Sequence, residues 1–89
     1  MKCILCPKCG DVRRLLDYPT VCTCGASWGQ YKDANRAECG GEAAPIFIDN
    51  NSLANAVHRW RAQDARTYGI RFTAGISGKN SPTFKKVEQ

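Results

Sequence analysis

Long apolar runs, histidine and methionine are all scarce in this chain. Of 89 residues one is His and one is Met, and no stretch approaches the ~18 consecutive apolar residues that a membrane-spanning helix needs. The opening residues, Met1 to Cys6, hold no apolar segment of the kind a secretory signal requires. The expectation is a soluble, cytoplasmic protein with no membrane partner, in a compartment that keeps thiols reduced. A phosphate-binding glycine loop is also missing, because Gly75-x-x-Gly78-Lys79 has neither the spacing nor the Ser or Thr after lysine. With His58 as the single histidine, a Cys–His nucleophilic pair or a histidine-based zinc hydrolase has little to be built from. No internal repeat is visible.

Cysteine, by contrast, is abundant, with 6 residues in a short chain. Four of them form two hooks that end in glycine, Cys6-Pro7-Lys8-Cys9-Gly10 and Cys22-Thr23-Cys24-Gly25. After the first thiolate of such a hook the backbone must turn so that amides point back at sulfur. Pro7 presets φ for that turn, and Gly10 and Gly25 supply the conformation that follows it. Two hooks separated by room for a turn and short strands match a four-thiolate zinc site. The expected ligands are Cys6, Cys9, Cys22 and Cys24, with one Zn²⁺ per chain. Cys3 makes a second Cys-x-x-Cys with Cys6 and competes for a place, but only the Cys6–Cys9 pair carries both the proline and the glycine. Cys39 has no hook partner and reads as an incidental small residue, with a fifth ligand or a reactive thiol as alternatives.

So short a chain is one domain that buries a modest share of its surface, so a metal staple is expected. The formal charge is +5, and a zinc ion held by four thiolates would lower it by two. That balance is mildly basic and does not by itself make a nucleic-acid binder.

In chain order, residues 2–6 read as a strand. Asp11–Leu16 and Val21 read as the arms of a β-hairpin turned by Asp17-Tyr18-Pro19-Thr20, with the metal site at its far end. Arg13 and Arg14 occupy adjacent strand positions and so face opposite ways. Trp28 and Tyr31 follow the second hook, where an aromatic either covers the metal site or offers a stacking platform to a base. Asp33–Gly41 is the least patterned part of the front half. Glu42–Asp49 is a strand rich in β-branched and aromatic residues. A helix capped by Asn50, Asn51 or Ser52 should run from about Ser52 or Leu53 to Arg66, with Leu53, Ala56, Val57 and Trp60 turned inward. Arg59 lies on its polar side and Arg61 at the margin of the apolar stripe. Tyr68 to Ile76 alternates with period two and predicts a strand with Tyr68, Ile70, Phe72, Ala74 and Ile76 inward. The expected architecture is α+β: a small zinc ribbon over 1–32 joined to a strand–helix–strand unit over 42–77, one domain spanning 1–78, and a flexible basic tail at 79–89.

The front half, from the Cys6 hook through Cys22-Thr-Cys-Gly-Ala-Ser27 and Gly29-Gln-Tyr31 to Gly41–Ile46, resembles small uncharacterised bacterial and phage or prophage zinc-ribbon proteins over about residues 6–55. The resemblance implies a bacterial or viral setting and transfers no settled activity. It also implies an aromatic where this chain has Cys39, which argues against a metal role there.

Three functions compete. The first is a non-catalytic zinc-ribbon module engaging a macromolecule, nucleic acid or protein, through Arg13, Arg14, Trp28, Tyr31, Lys32, Arg59 and Arg61. The second, carried by the resemblance, is a phage-encoded inhibitor of host defence that occludes a host protein or, as a homo-oligomer, sequesters a nucleotide messenger. The third is an enzyme, which ranks last because two glycine-ended cysteine hooks describe a closed site and no nucleophile sits beside a base.

Overall fold

Eight strands and one helix make up the described part of the chain, residues 1–62 and 68–87 of a computed structural model. The strands are β1 (Lys2–Leu5), β2 (Val12–Arg14), β3 (Thr20–Val21), β4 (Ser27–Tyr31), β5 (Ala37–Gly41), β6 (Ala44–Ile48), β7 (Ala74–Ile76) and β8 (Phe84–Val87), and α1 (Asn50–Arg61) follows β6. They form two four-stranded sheets, ordered β2-β1-β6-β7 and β3-β4-β5-β8. Every pairing is antiparallel except β5–β8, which is parallel. The fold is thus α+β, as the alternation of extended runs with one helical stripe predicts.

The two sheets meet across a small core of Ile4, Leu15, Ala37, Cys39, Ala43 and Phe84, against which Tyr31 packs. Only three of these side chains are large and aliphatic or aromatic. Each contributes on the order of 1.5–3 kcal/mol by burial, which leaves a domain of this size in need of a further constraint.

Several expectations are corrected. The hairpin expected between Asp11 and Val21 does not form. Instead β2 pairs back onto β1, with Ile4 opposite Arg13, and β3 pairs forward onto β4, with Val21 opposite Trp28. Each cysteine hook therefore turns its own hairpin, and the two hairpins belong to different sheets. The weakly patterned Asp33–Gly41 stretch contains β5, a central strand, because its small residues Ala37, Cys39 and Gly40 fit between layers.

The expected flexible tail, residues 79–89, is not a tail over its described residues. Phe84–Val87 adds an edge strand beside β5, and Phe84 is 1% exposed in the core. The sequence Phe-Lys-Lys-Val looks polar because one buried aromatic carries the whole anchoring role.

The helix begins earlier than expected. Asp49 is its N-cap, accepting a hydrogen bond from Asn51 N at 3.2 Å, and the expected continuation to Arg66 falls partly outside the described residues. The stripe is only weakly buried: Ala56 is the one buried residue of α1, while Trp60, expected in the core, is 60% exposed. From the end of the first sheet, α1 is tethered to the segment before β7 by Asp49 N donating to Thr73 O and by Thr73 N donating to Ser52 Oγ. The strand expected over Tyr68–Ile76 shrinks to β7, and Tyr68 and Ile76 lie exposed rather than inward. Among the described residues, the alternating run has no second layer to pack against.

Candidate metal centre

Both hooks adopt tight, similar turns. In the first, Gly10 N donates to Cys6 O at 2.7 Å and Cys6 N to Asp11 O at 2.8 Å; in the second, Gly25 N donates to Cys22 O at 3.1 Å and Cys22 N to Ser27 O at 3.0 Å. Gly10 and Gly25 take φ of 75° and 80°, the left-handed region that a side chain disfavours. The result brings the Cys6, Cys9, Cys22 and Cys24 sulfurs within 4.8 Å of one another. Cys6 Sγ lies 3.7 Å from Cys24 Sγ, and Cys22 Sγ lies 3.5 Å from Cys24 Sγ. All four are free thiols, Cys6 and Cys22 buried and Cys9 and Cys24 exposed. The cluster could hold a metal ion.

Sulfurs this close share their protons. The Ser27 hydroxyl, fully buried and without a partner of full hydrogen-bond geometry, sits beside Cys6 and pulls that thiol down to about 6. For Cys24, a bond from the Ala26 N–H favours the thiolate, yet burial and the neighbouring thiols outweigh it and push the group up to about 12. Burial raises Cys22 too, but the Ser27 N–H, 3.3 Å from its sulfur, and the Cys24 thiol bring it below the ordinary thiol value. The neighbouring sulfurs therefore titrate as a set rather than singly.

The other two cysteines stand apart. Cys3 on β1 and Cys39 on β5 are buried, and burial raises both thiols. Cys39 occupies the core as a small hydrophobe.

A brace between the hooks was not visible in the sequence. Asp11 Oδ2 accepts from Thr23 N at 2.9 Å, Thr23 Oγ1 at 2.9 Å and Arg13 Nε at 2.8 Å. The Arg13 guanidinium and the two Thr23 donors hold the Asp11 carboxyl below its usual range. Asp11 directly follows the first hook and Thr23 lies inside the second, so the carboxylate ties one to the other. Local sequence marks Asp11 only as the first residue of an extended arm.

The expected binding residues divide into separate places. Arg13 is committed to Asp11 beside the metal centre. Trp28 is half-buried, its indole lying over Gly40 so closely that there is no room for a Cβ at that position, which is a packing role. Arg14, Tyr31 and Lys32 come together around an open depression of about 480 Å³, with Asp17, Asp33 and Ala34. Lys2 joins Arg14 and Tyr31 in an adjoining one. Asp33 is already paired with Arg36 at 2.7 Å, and Lys32 with Glu38 at 3.6 Å. Tyr31 receives Lys2 N on its hydroxyl at 3.1 Å and carries the Lys2 ammonium 5.5 Å from its ring centre. Arg59 and Arg61 are exposed on α1 and belong to neither depression. No described helix is long and apolar enough to cross a membrane. No protein-family model matches the chain, and no curated protein or solved structure matches it.

Proposed function

We propose that the four sulfurs hold one structural Zn²⁺, making the front of the chain a zinc ribbon, and that the protein is a non-catalytic binding module for single-stranded nucleic acid. Zinc is supported by the donor set. A tetrahedral ion with Zn–S near 2.3 Å separates its sulfurs by roughly 3.8 Å, and the observed 3.5 and 3.7 Å spacings need little adjustment. Four thiolates complete the tetrahedron and leave no position for a reacting water. The ion would join the β1–β2 turn of one sheet to the β3–β4 turn of the other.

The binding reading is carried by one observation: Arg14, Tyr31 and Lys32 gather at one open depression, with Lys2 at its neighbour. Arg14 and Lys32, with Lys2 next door, offer cations beside a half-buried aromatic, which suits a phosphate backbone with unpaired bases; Asp17 and Asp33 share the rim, and Asp33 is paired with Arg36. Because Tyr31 already has Lys2 over its ring, Arg14 is the freest of the four to meet phosphate.

The test is fluorescence anisotropy of a labelled single-stranded oligonucleotide across a salt series, with zinc-loaded protein. Affinity should fall steeply with salt, and Arg14→Ala should reduce the log–log slope by about 1. Absence of binding at low salt, or affinity indifferent to salt, overturns the nucleic-acid ligand and leaves a protein partner as the reading to pursue.

A further inference from the structure

The groove between α1 and the segment leading to β7 holds apolar surface that the metal centre and the cationic depressions leave unused. Leu53, Ala56, Val57 and Trp60 form one wall and Ile70 and Phe72 the other, around about 190 Å³. Trp60 is 60% exposed, Phe72 44% and Val57 40%, and Tyr68, two residues from Ile70, is fully exposed. The geometry points to this groove as a homodimer interface, in which the α1 helices of two copies pair antiparallel across a two-fold axis.

Three features favour a second copy. The stripe is self-complementary: reversing the helix about Ala56 and Val57 sets Trp60 of one chain against Leu53 of its mate, with small Ala56 allowing close approach at the centre. The charges agree as well. His58, Arg59 and Arg61 crowd the last turn, while the first turn has no acidic residue and its cap is Asp49. Antiparallel pairing brings each basic end beside the other chain's Asp49 and opposes the helix dipoles, whereas parallel pairing would stack like charges.

The area also places the pairing in a size class. Large aromatics offer roughly 150–250 Å² each, so the exposed parts of Trp60, Tyr68 and Phe72 with their aliphatic neighbours come to roughly 500–600 Å² per copy. Two copies would bury a little over ~1,000 Å², the low end for a specific interface and the size class of weak, transient contacts, so the dimer proposed is one of micromolar affinity. The proposal stands apart from the nucleic-acid reading, since it uses none of the cationic residues assigned there.

Sedimentation velocity on the zinc-loaded full chain from about 2 to 500 µM tests it. The expected result is a concentration-dependent shift from monomer to dimer. Trp60→Ala should weaken association at least ~10-fold, and so should Val57→Lys, with far-ultraviolet circular dichroism of both unchanged. A monomer across the whole range overturns the dimer, as does association that both variants leave intact. A monomer that instead sediments with vesicles of anionic lipid would assign the same face to a membrane surface and equally overturn it.

Discussion

The two ends of the molecule are stabilised in opposite ways. Around the cysteine hooks, Cys6, Cys22 and Ser27 are buried, and the inter-sheet core of Ile4, Leu15 and Phe84 lies in the same half. Around the helix, between residues 49 and 76, Ala56 is the one buried residue among those described. Yet the helix end has the stronger apolar pattern in sequence, with a clean i, i+3, i+4, i+7 stripe and a long alternating run. The difference teaches that patterning defines which face an element would bury, and that burial needs a second layer. At the front of the chain the second layer is the other sheet, joined through the hooks; at the back the described residues supply little more than the Ile70–Phe72 segment.

The sharpest way to break the comparison is to take the staple away. Cys6→Ser, or chelation of the proposed zinc, should cost the front end most of its stability, because metal binding to such a site is folding free energy on the order of 10 kcal/mol. Cys39→Ser should keep the metal and lose only core packing. Native mass spectrometry gives the zinc stoichiometry, expected to be one per chain, and near-ultraviolet circular dichroism reads the loss of fixed packing. If Cys6→Ser loses the ion yet keeps the spectrum, the front end is held by its core alone. Acidification should act like the chelator, since the sulfurs must lose protons to bind a cation.

A smaller effect is expected from Phe84→Ala. This side chain fixes β8 beside β5 and fills the core from a strand close to the C-terminal end of the described chain, so its truncation should cost about 3–5 kcal/mol. Urea unfolding with a constant m-value measures it. A cost below about 1 kcal/mol would mean that the front end does not depend on its last strand, and that residues 79–89 act as the loose tail the composition implies.

How far the sequence could be read follows the same division. The four-cysteine cluster was legible because each hook is local: two sulfurs and a closing glycine within a few residues, with a proline in the first hook, dictate the turn. Which strands pair was not legible. Asp11–Leu16 and Val21 look like two arms of one hairpin, yet β2 joins β1 and β3 joins β4, because register depends on partners distant in sequence. β8 was hidden for a related reason. A parallel pairing between Ala37 and Phe84 leaves no local signature, and Lys85 and Lys86 mask the aromatic that anchors it. The Asp11 brace is a side-chain contact between two turns, and no spacing rule announces it. Of the expected binding residues, Arg14, Tyr31 and Lys32 come together, while Trp28 is spent on Gly40, Arg13 on Asp11, and Arg59 and Arg61 on another element.

The smallest predicted effect sharpens the contrast most, because it concerns the bulkiest residue of the helix. In an ordinary amphipathic helix, truncating the Trp at the end of the apolar stripe removes a core side chain and costs about 3–5 kcal/mol. Here Trp60 is 60% exposed, so in the monomer it has only part of that burial to lose, and Trp60→Ala should cost no more than about 1–2 kcal/mol. The measurement belongs at low protein concentration, near 2 µM on the micromolar affinity argued above, where association adds nothing by mass action. Repeated at a few hundred micromolar, the wild-type chain should gain stability and the variant should not. A large loss at the dilute end would show that α1 is packed within its own chain, and the division into a stapled end and an open end would have to be given up.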